Sequence, residues 1–428
     1  MNIRGIKHRL QKEIFPFFLS PLWVLLKRSG NGPVLIYVPH VGANVDIKYL
    51  LAYQDKPGVP YYVVVDCESY EKLANELRRL GEKVICRGGK EEFELLKRAS
   101  VIVSSDDVLS SEGRYWYALG ARYIQLWHGL NIKLMGFYFY NVGPKRSPWR
   151  QFYHSFINHT YRYDTMIIPR WLYSQLFKRY FAFRKALYGL PVRNDFWFCR
   201  SKFDIGYMRL GVDTNKLKYI QLQKNKGKKI VLFIPTWRIN FSWKDFMIST
   251  QFIEKLDEWA KKNDAWVVMK FHPLEELGNF SLTRKNLGEF RGMELLADNV
   301  MVYRGELGTF SDVMPLLELG DILITDYSSV YFDFLIGKPF SPILFFWFDY
   351  DEYVADNPLE EKILPYVTPG EKAYNVETLI RWLDKIAKGE DKYLSARIKL
   401  QRSLMGENRN ICLSEIIWNI IGKVGESK

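Results

Sequence analysis

The stretch Asp321–Phe340, DILITDYSSVYFDFLIGKPF, decides the fold class of this chain. Its apolar run Ile322–Thr325 predicts a buried strand, and the aromatic-rich run that ends at Gly337 predicts a helix. The turn between them carries Ser328 and Ser329. Free backbone N–H groups and the helix dipole make the start of a helix a binding site for anions. The stretch therefore predicts either a phosphate site or, because Ser and Asp are ordinary helix starters, a capped helix of an α/β domain.

Three further segments carry reactive side chains where a strand is expected to end. His128 follows the segment RYIQLW, Thr236 and Arg238 follow IVLFIP, and His272 follows AWVVMKF. Ligands of open α/β sheets bind in the crevice beyond the carboxyl ends of parallel strands. A single His beside Gly or Pro is usually a turn residue, but polar clusters at four strand ends indicate one shared crevice.

These segments, taken in order, resemble a known family. WHG at 127–129, PTWR at 235–238, FHP at 271–273 and TDYSSVYFD at 325–333 are similar to the CDP-glycerol glycerophosphotransferases of teichoic acid synthesis. GLPVRND at 189–195 resembles the family's GYPRND segment, with Val192 inserted. The resemblance runs from about residue 122 to residue 353. After WHG the family usually has TPLK, whereas this chain has LNIK, and that departure concerns the acceptor.

Strand and helix patterns predict an α/β chain of two Rossmann-like domains that face each other across a cleft, which is the GT-B architecture that the resemblance also implies. We assign residues 1–200 to an acceptor- and membrane-facing domain and residues 201–428 to a nucleotide-donor-binding domain with C-terminal helices, which could cross back to the first domain. The polar, Lys-rich segment 200–229 is expected to be a hinge. Strands are predicted at 34–38, 61–65, 84–86, 101–104, 123–127, 165–169, 185–190, 230–234, 266–271, 300–303, 322–325 and 343–346.

The resemblance implies transfer of glycerol phosphate from CDP-glycerol to a hydroxyl of a lipid-linked, polyprenyl-diphosphate-carried acceptor, with release of CMP. Negative charge grows on both phosphates in such a reaction, so cations and N–H donors stabilise its transition state. We predict His128 as the general base, because a pKa near neutrality suits proton abstraction, and His272 as the second catalytic residue. The predicted donor-binding residues are Thr236, Arg238, Ser328, Ser329 and Asp333, the last of which could instead be a helix-surface charge.

No D-x-D pair stands beside a strand end in these motifs, so we expect neither an obligatory metal nor a cofactor besides the donor substrate. A GT-B enzyme that uses CDP-ribitol or a nucleotide sugar for a cell-surface polymer would keep the same fold and phosphate site. The donor therefore stays open among these nucleotides at this stage, as do the acceptor and the oligomeric state.

The chain of 428 residues carries a net charge of +13, which implies an anionic partner: nucleic acid, a phosphate-rich substrate or an anionic membrane surface. No RRM or KH signature supports nucleic acid, so we expect no nucleic-acid partner. The four cysteines show no C-x-x-C spacing and are predicted to be buried thiols of a reducing compartment, without zinc or disulfides: Cys67, Cys86, Cys199 and Cys412.

Two segments favour the membrane. The apolar run Phe15–Leu26 is about half the length that crosses a bilayer and is flanked by basic residues, so it is predicted to lie on a membrane surface or to pack as a helix on the first domain. The basic and aromatic region 137–185 suits either single-stranded nucleic acid or anionic headgroups, and Lys145, Arg146 and Arg150 are the predicted acceptor or membrane contacts. We expect a peripheral protein at the cytoplasmic face of the cell membrane.

Overall fold

Two parallel sheets form the framework of the protein. A computed structural model describes residues 31–39, 44–109, 114–135, 162–238, 241–272, 294–306, 308–406 and 412–426. Within these ranges, strands form two seven-stranded sheets, one from each half of the chain. The predicted segment Phe15–Leu26 and the contacts Lys145, Arg146 and Arg150 lie outside the described residues. No helix within those ranges is long and apolar enough to cross a membrane.

The first sheet is entirely parallel and has the strand order β3-β2-β1-β4-β5-β6-β7. Its inner strands read as continuous apolar runs because both faces of a parallel sheet are covered. Its members are β1 Val34–Tyr37, β2 Tyr61–Val65, β3 Val84–Cys86, β4 Val101–Ser104, β5 Arg122–Gln125, β6 Arg162–Ile168 and β7 Ala182–Tyr188.

The second sheet has the order β10-β11-β9-β8-β12-β13-β14 and is parallel except for the pair β10–β11. Its members are β8 Lys229–Ile234, β9 Ala265–Met269, β10 Glu294–Ala297, β11 Val300–Val302, β12 Ile322–Thr325, β13 Ile343–Phe346 and β14 Glu371–Ala373. The edge strands β10 and β14 were not predicted, because their short sequences ELLA and EKA lack an extended apolar run. The two sheets confirm the predicted α/β, GT-B-type class of two Rossmann-like domains.

Helices cover both faces of the sheets. They span Val45–Ala52, Glu71–Arg79, Lys90–Leu96, Arg114–Tyr117, Leu172–Tyr180, Asp195–Phe198, Ile205–Arg209, Thr214–Asn225, Trp243–Ser249, Phe252–Lys262, Met314–Leu319, Val330–Gly337, Tyr350–Asp356, Leu364–Val367, Val376–Ala387, Leu394–Met405 and Leu413–Glu426.

The segment predicted as a hinge, 200–229, is mostly helical, and its role as a hinge stays a prediction. The Asp213 side chain caps the helix Thr214–Asn225 by accepting a hydrogen bond from the backbone N–H of Lys216. Tyr219 and Ile220 of this helix are buried. The Lys-rich sequence that suggested a hinge lies at the exposed end of the helix, where basic side chains complement the helix dipole.

The last helix, Leu413–Glu426, packs on the first domain. The Trp418 indole N–H donates to the Leu50 carbonyl at 2.8 Å, and its ring makes an edge contact with Tyr61. Buried side chains of both sheets join in one hydrophobic core, and a second, smaller core lies beside the second sheet alone. The chain therefore crosses between the domains twice, once before β8 and once before this helix.

The cysteine prediction was half wrong. Cys199 and Cys412 are buried thiols, as expected, but Cys67 and Cys86 form a disulfide. The register of the parallel strands β2 and β3 explains the pairing, because it sets Val65 beside Cys86 and brings Cys67, two residues later, within bonding reach. The expectation of an entirely reduced chain is withdrawn with it.

Candidate active site between the two domains

The order of the strands predicts where a ligand binds. The order of the parallel strands reverses direction between β1 and β4 in the first sheet and between β8 and β12 in the second. Ligands of open α/β sheets bind at such switch points, beyond the carboxyl ends of the strands. Ser105 follows β4, Pro235 follows β8, and Ser328 and Ser329 lie in the turn after β12.

A cavity of about 230 Å³ lies at the ends of β8 and β12, with Pro235, Ser328 and Ser329 among its lining residues. Five of the predicted site residues line it together: His128, His272, Ser328, Ser329 and Asp333. It is also lined by residues for which the sequence predicted no role, among them Arg193 and Lys270. Thr236 and Arg238 are not among its lining residues.

His128 is held in one orientation by the backbone of its own domain. Its Nδ1 lies 2.9 Å from the Ser105 carbonyl oxygen, and because a carbonyl can only accept, Nδ1 carries the proton. The other nitrogen, Nε2, is then the one that can accept a proton. The Trp127 ring stacks on the imidazole with centroids 4.3 Å apart. Trp127 has a φ of 58°, a strained conformation of the kind that clusters at functional sites.

Gly129 allows the loop of His128 to approach the second domain. It has a φ of +140°, and a Cβ there would lie 2.8 Å from Nη2 of Arg193 and 3.3 Å from Oγ of Ser329. Any other residue would press against both side chains and would also be strained. The WHG sequence therefore places the loop of His128 directly beside the turn that carries Ser329.

Arg193 clamps the two domains together at the base of the cavity. Its guanidinium donates to Asp333 at 2.8 and 2.9 Å, to Asp46 at 2.9 Å and to the His128 carbonyl at 2.9 Å. Only 7% of the residue is exposed. Burial raises the pKa of Asp46, although the arginine opposes that shift. One buried cation therefore connects the first domain, the loop of His128 and the helix that follows Ser329.

Asp333 is committed to this clamp. One carboxylate oxygen accepts from Arg193, and the other accepts from the Asn194 amide at 2.9 Å. The side chain is buried, so the alternative of an exposed helix-surface charge is wrong. Although Asp333 borders the cavity, its oxygens already have partners, and its position fits the orientation of Arg193 better than the binding of a substrate hydroxyl.

The side of the cavity that belongs to the second domain is rich in donors. Ser329 occupies the N-cap position of the helix Val330–Gly337, yet its hydroxyl makes no capping hydrogen bond. Lys270 is buried at the end of β9, two residues before His272, and its ammonium donates to the Phe271 carbonyl. The helix start, an ammonium and an imidazole thus converge on one cavity, and an anion is the ligand that such a set favours.

Arg238 and Thr236 are placed differently from the prediction. The Arg238 guanidinium pairs with Asp349 at 2.6 and 3.1 Å and with Asp326 at 2.8 Å, and Thr236 donates its hydroxyl to Asp326 at 2.6 Å. Five aromatic rings surround the guanidinium: Phe241, Trp243, Tyr327, Phe348 and Tyr353. Arg238 is therefore a buried support of the turn that starts at Asp326.

The segment after Gly129 also binds the second domain. The Leu134 N–H donates to the Pro358 carbonyl at 2.9 Å, and the Glu360 N–H donates to the Ile132 carbonyl at 2.8 Å. Between these bonds, the Lys133 ammonium lies 5.3 Å from the centre of the Tyr353 ring. Burial lowers the pKa of Lys133 to about 8. This short bridge fixes the loop of His128 at its far end.

One group of side chains in the described part of the chain has the composition of a metal site. Ligand atoms of Asp195, Cys199 and Cys412 lie within 4.8 Å of one another. The Asp195 carboxylate, however, accepts hydrogen bonds from the backbone N–H groups of Leu413 and Ser414. Those bonds make it the cap of the last helix, and the group lies outside the cavity of His128.

Residues 32–410 match the model of a protein family described as CDP-Glycerol:Poly(glycerophosphate) glycerophosphotransferase. A teichoic acid poly(glycerol phosphate) polymerase of Bacillus spizizenii is 28% identical over 239 residues, which are 55% of this chain and 53% of that protein. The teichoic acid ribitol-phosphate polymerase TarL of Staphylococcus aureus is 30% identical over 199 residues, 42% of this chain and 31% of that protein. The chain thus spans about half, or less, of the length of these relatives.

The fold has a solved counterpart. A variant of the wall teichoic acid polymerase TagF, soaked with CDPG, superposes with a TM-score of 0.62 and 20% sequence identity. The superposition covers 99% of this chain and 98% of that one. The likeness therefore extends to both domains.

Proposed function

Because the chain belongs to the CDP-glycerol:poly(glycerophosphate) glycerophosphotransferase family, we propose that it transfers glycerol phosphate from CDP-glycerol to a hydroxyl of a lipid-linked, teichoic acid-type acceptor. The observation that carries this proposal is the interdomain cavity. His128 enters it from the first domain, and Lys270, His272 and Ser329 enter it from the second. A proton acceptor therefore stands opposite an anion site, as phosphoryl transfer to a hydroxyl requires.

The reaction proceeds in one displacement. Nε2 of His128 takes the proton of the acceptor hydroxyl while the hydroxyl oxygen forms a bond to the phosphorus that bears glycerol. The bond from that phosphorus to the bridging oxygen breaks, and CMP leaves with the oxygen and its electron pair. The hydrogen bond to Ser105 stabilises the imidazolium that results, because Nδ1–H is already directed at a carbonyl.

The second domain holds the pyrophosphate. Lys270, His272 and the N–H groups of the helix start at Ser329 face charge that grows on the transferred and leaving phosphates. Ser328 and Ser329 add hydroxyl donors. Arg238 and Thr236 act indirectly on the pyrophosphate, because they fix the turn at Asp326 that carries the two serines.

We propose that the transfer needs no metal, because side-chain cations and helix N–H groups supply the positive charge that a metal supplies in other phosphoryl transferases. Turnover should be unchanged in EDTA. A complete loss of turnover on chelation that Mg²⁺ restores would contradict this part of the proposal.

CDP-ribitol is the second candidate donor. The observation that favours it is the 30% identity to a ribitol-phosphate polymerase, slightly above the 28% identity to a glycerol phosphate polymerase. Both donors carry the same CDP group, so the phosphate site alone does not separate them. Incubation with CDP-glycerol, CDP-ribitol and a UDP-sugar, with CMP, CDP or UDP release measured, identifies the donor.

The central experiment changes the proposed base. His128→Ala should lower turnover of the preferred donor by roughly two to four powers of ten, the usual contribution of a general base. Binding of the donor should stay close to that of the unaltered protein, because the pyrophosphate contacts lie on the other domain. Full turnover of this variant at saturating acceptor would exclude His128 as the base.

We further propose that the protein lies at the cytoplasmic face of the membrane, where a lipid-linked acceptor is accessible. The net charge of +13 supports this placement, as does the run Phe15–Leu26. Each basic residue near an anionic surface contributes about 1 kcal/mol, so a few such residues suffice for reversible attachment. The protein should sediment with anionic vesicles at low salt and less at high salt.

A triple change tests which residues make the attachment. Changing Lys145, Arg146 and Arg150 to Ser should reduce vesicle binding and activity on lipid acceptors while activity on a soluble acceptor is retained. A matched control removes the same charge from exposed positions of the second domain: Lys226, Lys261 and Lys262. Equal losses in both triple variants would show that only total charge matters.

A further inference from the structure

A second, smaller cavity lies behind the wall of the active site. It has a volume of about 60 Å³ and opens to solvent between the end of β7 and the last two helices. We call it the Asn194 cavity, after the side chain at its inner end. Its other main lining residues are Arg170, Leu190, Phe198, Leu404 and Leu413.

The inner end of this cavity holds a polar atom without a partner. Asn194 is 2% exposed, and within the described residues its Oδ1 accepts no hydrogen bond. The amide orientation is fixed, because Nδ2 donates to Asp333 at 2.9 Å. A buried acceptor of this kind is costly unless a donor reaches it. The cavity therefore selects a ligand that presents a hydroxyl to its inner end.

The mouth of the cavity holds a cation without an anionic partner. Arg170 is exposed, and no carboxylate of the described residues forms an ion pair with it. Its guanidinium lies 5.5 Å from the centre of the Tyr188 ring, and its stem lies against Gly406, where a Cβ would come within 2.8 Å of Cδ. These contacts hold the charge near the opening. A planar guanidinium so placed matches a phosphate.

Apolar side chains separate the two polar ends. Leu404 and Leu413 are buried and form the wall between Asn194 and the mouth. The Asp195 carboxylate also borders the cavity, but its oxygens accept from the start of the last helix. The volume accommodates about four water-sized groups. That is the size of a short polyol whose phosphate remains at the mouth.

We propose that the Asn194 cavity binds a polyol phosphate, with a ligand hydroxyl donating to Asn194, the carbon chain against Leu404 and Leu413, and the phosphate on Arg170. This site is distinct from the proposed donor site, because the Asn194–Asp333 pair stands between them. The choice of glycerol phosphate as the probe rests on the proposed function, whereas the pairing of hydroxyl and anion does not. The phosphate could belong to free glycerol 3-phosphate or to a unit of a glycerol phosphate polymer.

Occupancy of the cavity would act on the active site through one hydrogen bond. A hydroxyl on Asn194 Oδ1 polarises the amide, which strengthens the donation from Nδ2 to Asp333. Asp333 in turn holds Arg193, which holds the carbonyl of His128. The ligand would therefore stabilise the arrangement that orients the base.

Calorimetric titration of the full chain with glycerol 3-phosphate tests the proposal, with glycerol alone and inorganic phosphate as reference ligands. Arg170→Gln removes the charge at the mouth and should weaken binding about ten-fold, as loss of one charged contact does. Leu404→Trp fills the cavity and should abolish saturable binding. Lys270→Met, which alters the proposed pyrophosphate site in the other cavity, should leave this binding unchanged.

The outcomes distinguish the Asn194 cavity from the active site, and free glycerol 3-phosphate from a unit of a polymer. Loss of binding in Lys270→Met together with retention in Arg170→Gln and Leu404→Trp would place the ligand in the active site and overturn the proposal. The absence of saturable binding of both glycerol 3-phosphate and its soluble oligomer would overturn it as well. A soluble oligomer of glycerol phosphate provides the second arm. Binding of the oligomer alone identifies a polymer unit as the occupant, binding of glycerol 3-phosphate alone identifies the free phosphate, and binding of both shows that the cavity accepts the group from either source. Because heat of binding is measured rather than turnover, failure of the proposed donor chemistry would not obscure the result.

Discussion

Removal of the Arg193 side chain should separate the stability of the domain interface from the orientation of the base. Arg193 is the only cation that the structure places within hydrogen-bond distance of both Asp46 and Asp333 among the described residues. Arg193→Ala would leave two buried carboxylates without their partner. Loss of one partner from a buried ion pair costs about 3–5 kcal/mol of folding free energy. Unfolding in urea, followed by tryptophan fluorescence, measures this loss.

A second effect should appear in catalysis. The guanidinium also donates to the His128 carbonyl at 2.9 Å, and a hydrogen bond from a charged donor contributes about 1.5–3 kcal/mol. Loss of that bond at the loop of the base should lower kcat by about 10- to 150-fold. Arg193→Lys keeps the charge but cannot span Asp46, Asp333 and the carbonyl together, so it should recover part of the stability and little of the turnover.

Arg200 provides the matched control for both measurements. It also links the domains, through Glu318, but its side chain is 56% exposed and that of its partner is 43% exposed. Exposed pairs contribute about 0–1 kcal/mol, so Arg200→Ala should change neither stability nor kcat noticeably. If Arg193→Ala were no more harmful than Arg200→Ala, the clamp would not exist as described. A loss of stability without a loss of kcat would leave Arg193 a purely structural role.

Three further changes test single features. Gly129→Ala should lower kcat at least about ten-fold, because strain of about 1–3 kcal/mol falls on the loop of the base. Gly227→Ala is the control: it is strained at a φ of +86° but lies in open space, so kcat should stay intact. Equal effects of the two changes on kcat would refute the reasoning. Burial raises the pKa of Asp195 to about 6, so the folded protein binds this proton more tightly than the unfolded chain, and stability should fall as pH rises from 3.8 to about 6. Asp195→Asn should remove that slope from urea unfolding curves, and an unchanged slope would contradict the assignment. Burial lowers the pKa of Lys133 to about 8, so the free energy of unfolding should rise between about pH 8 and 10.5 in the unaltered protein. Lys133→Met should lack this rise. Parallel profiles of unfolding free energy against pH for the two proteins would refute the prediction.

The central strands of both sheets could be predicted because their signal is local. A strand buried on both faces, such as Ile322–Thr325, is a continuous apolar run whatever its neighbours are. The edge strands Glu294–Ala297 and Glu371–Ala373 carry charged residues, and only their pairing with a neighbouring strand makes them strands. The helix in the segment predicted as a hinge was missed for a related reason, since its buried residues face a sheet formed elsewhere in the sequence.

The residues of the candidate site also differ in whether a local sequence signal could predict them. His128, His272 and the serine pair were predicted because each directly follows a strand, and parallel strands end at one edge of their sheet. The role of Arg193 was missed because its partners Asp46 and Asp333 lie 147 and 140 residues away. Arg238 was assigned to the donor for the opposite reason: an arginine at a strand end looks available until Asp349, 111 residues later, is seen to pair with it.

The contacts between the domains also bear on how substrates reach His128. Rigid-body opening of the cleft would break the clamp at Arg193 and a second buried pair, in which Lys48 and Tyr49 of the first domain donate to Asp312 of the second. Opening would bring the charges of both pairs into water, so the net free energy that opposes opening is smaller than the roughly 3–5 kcal/mol lost when one partner of a buried pair is removed. The two pairs therefore hold the geometry of the base in the arrangement of the domains described here, at a modest net cost to opening of the cleft.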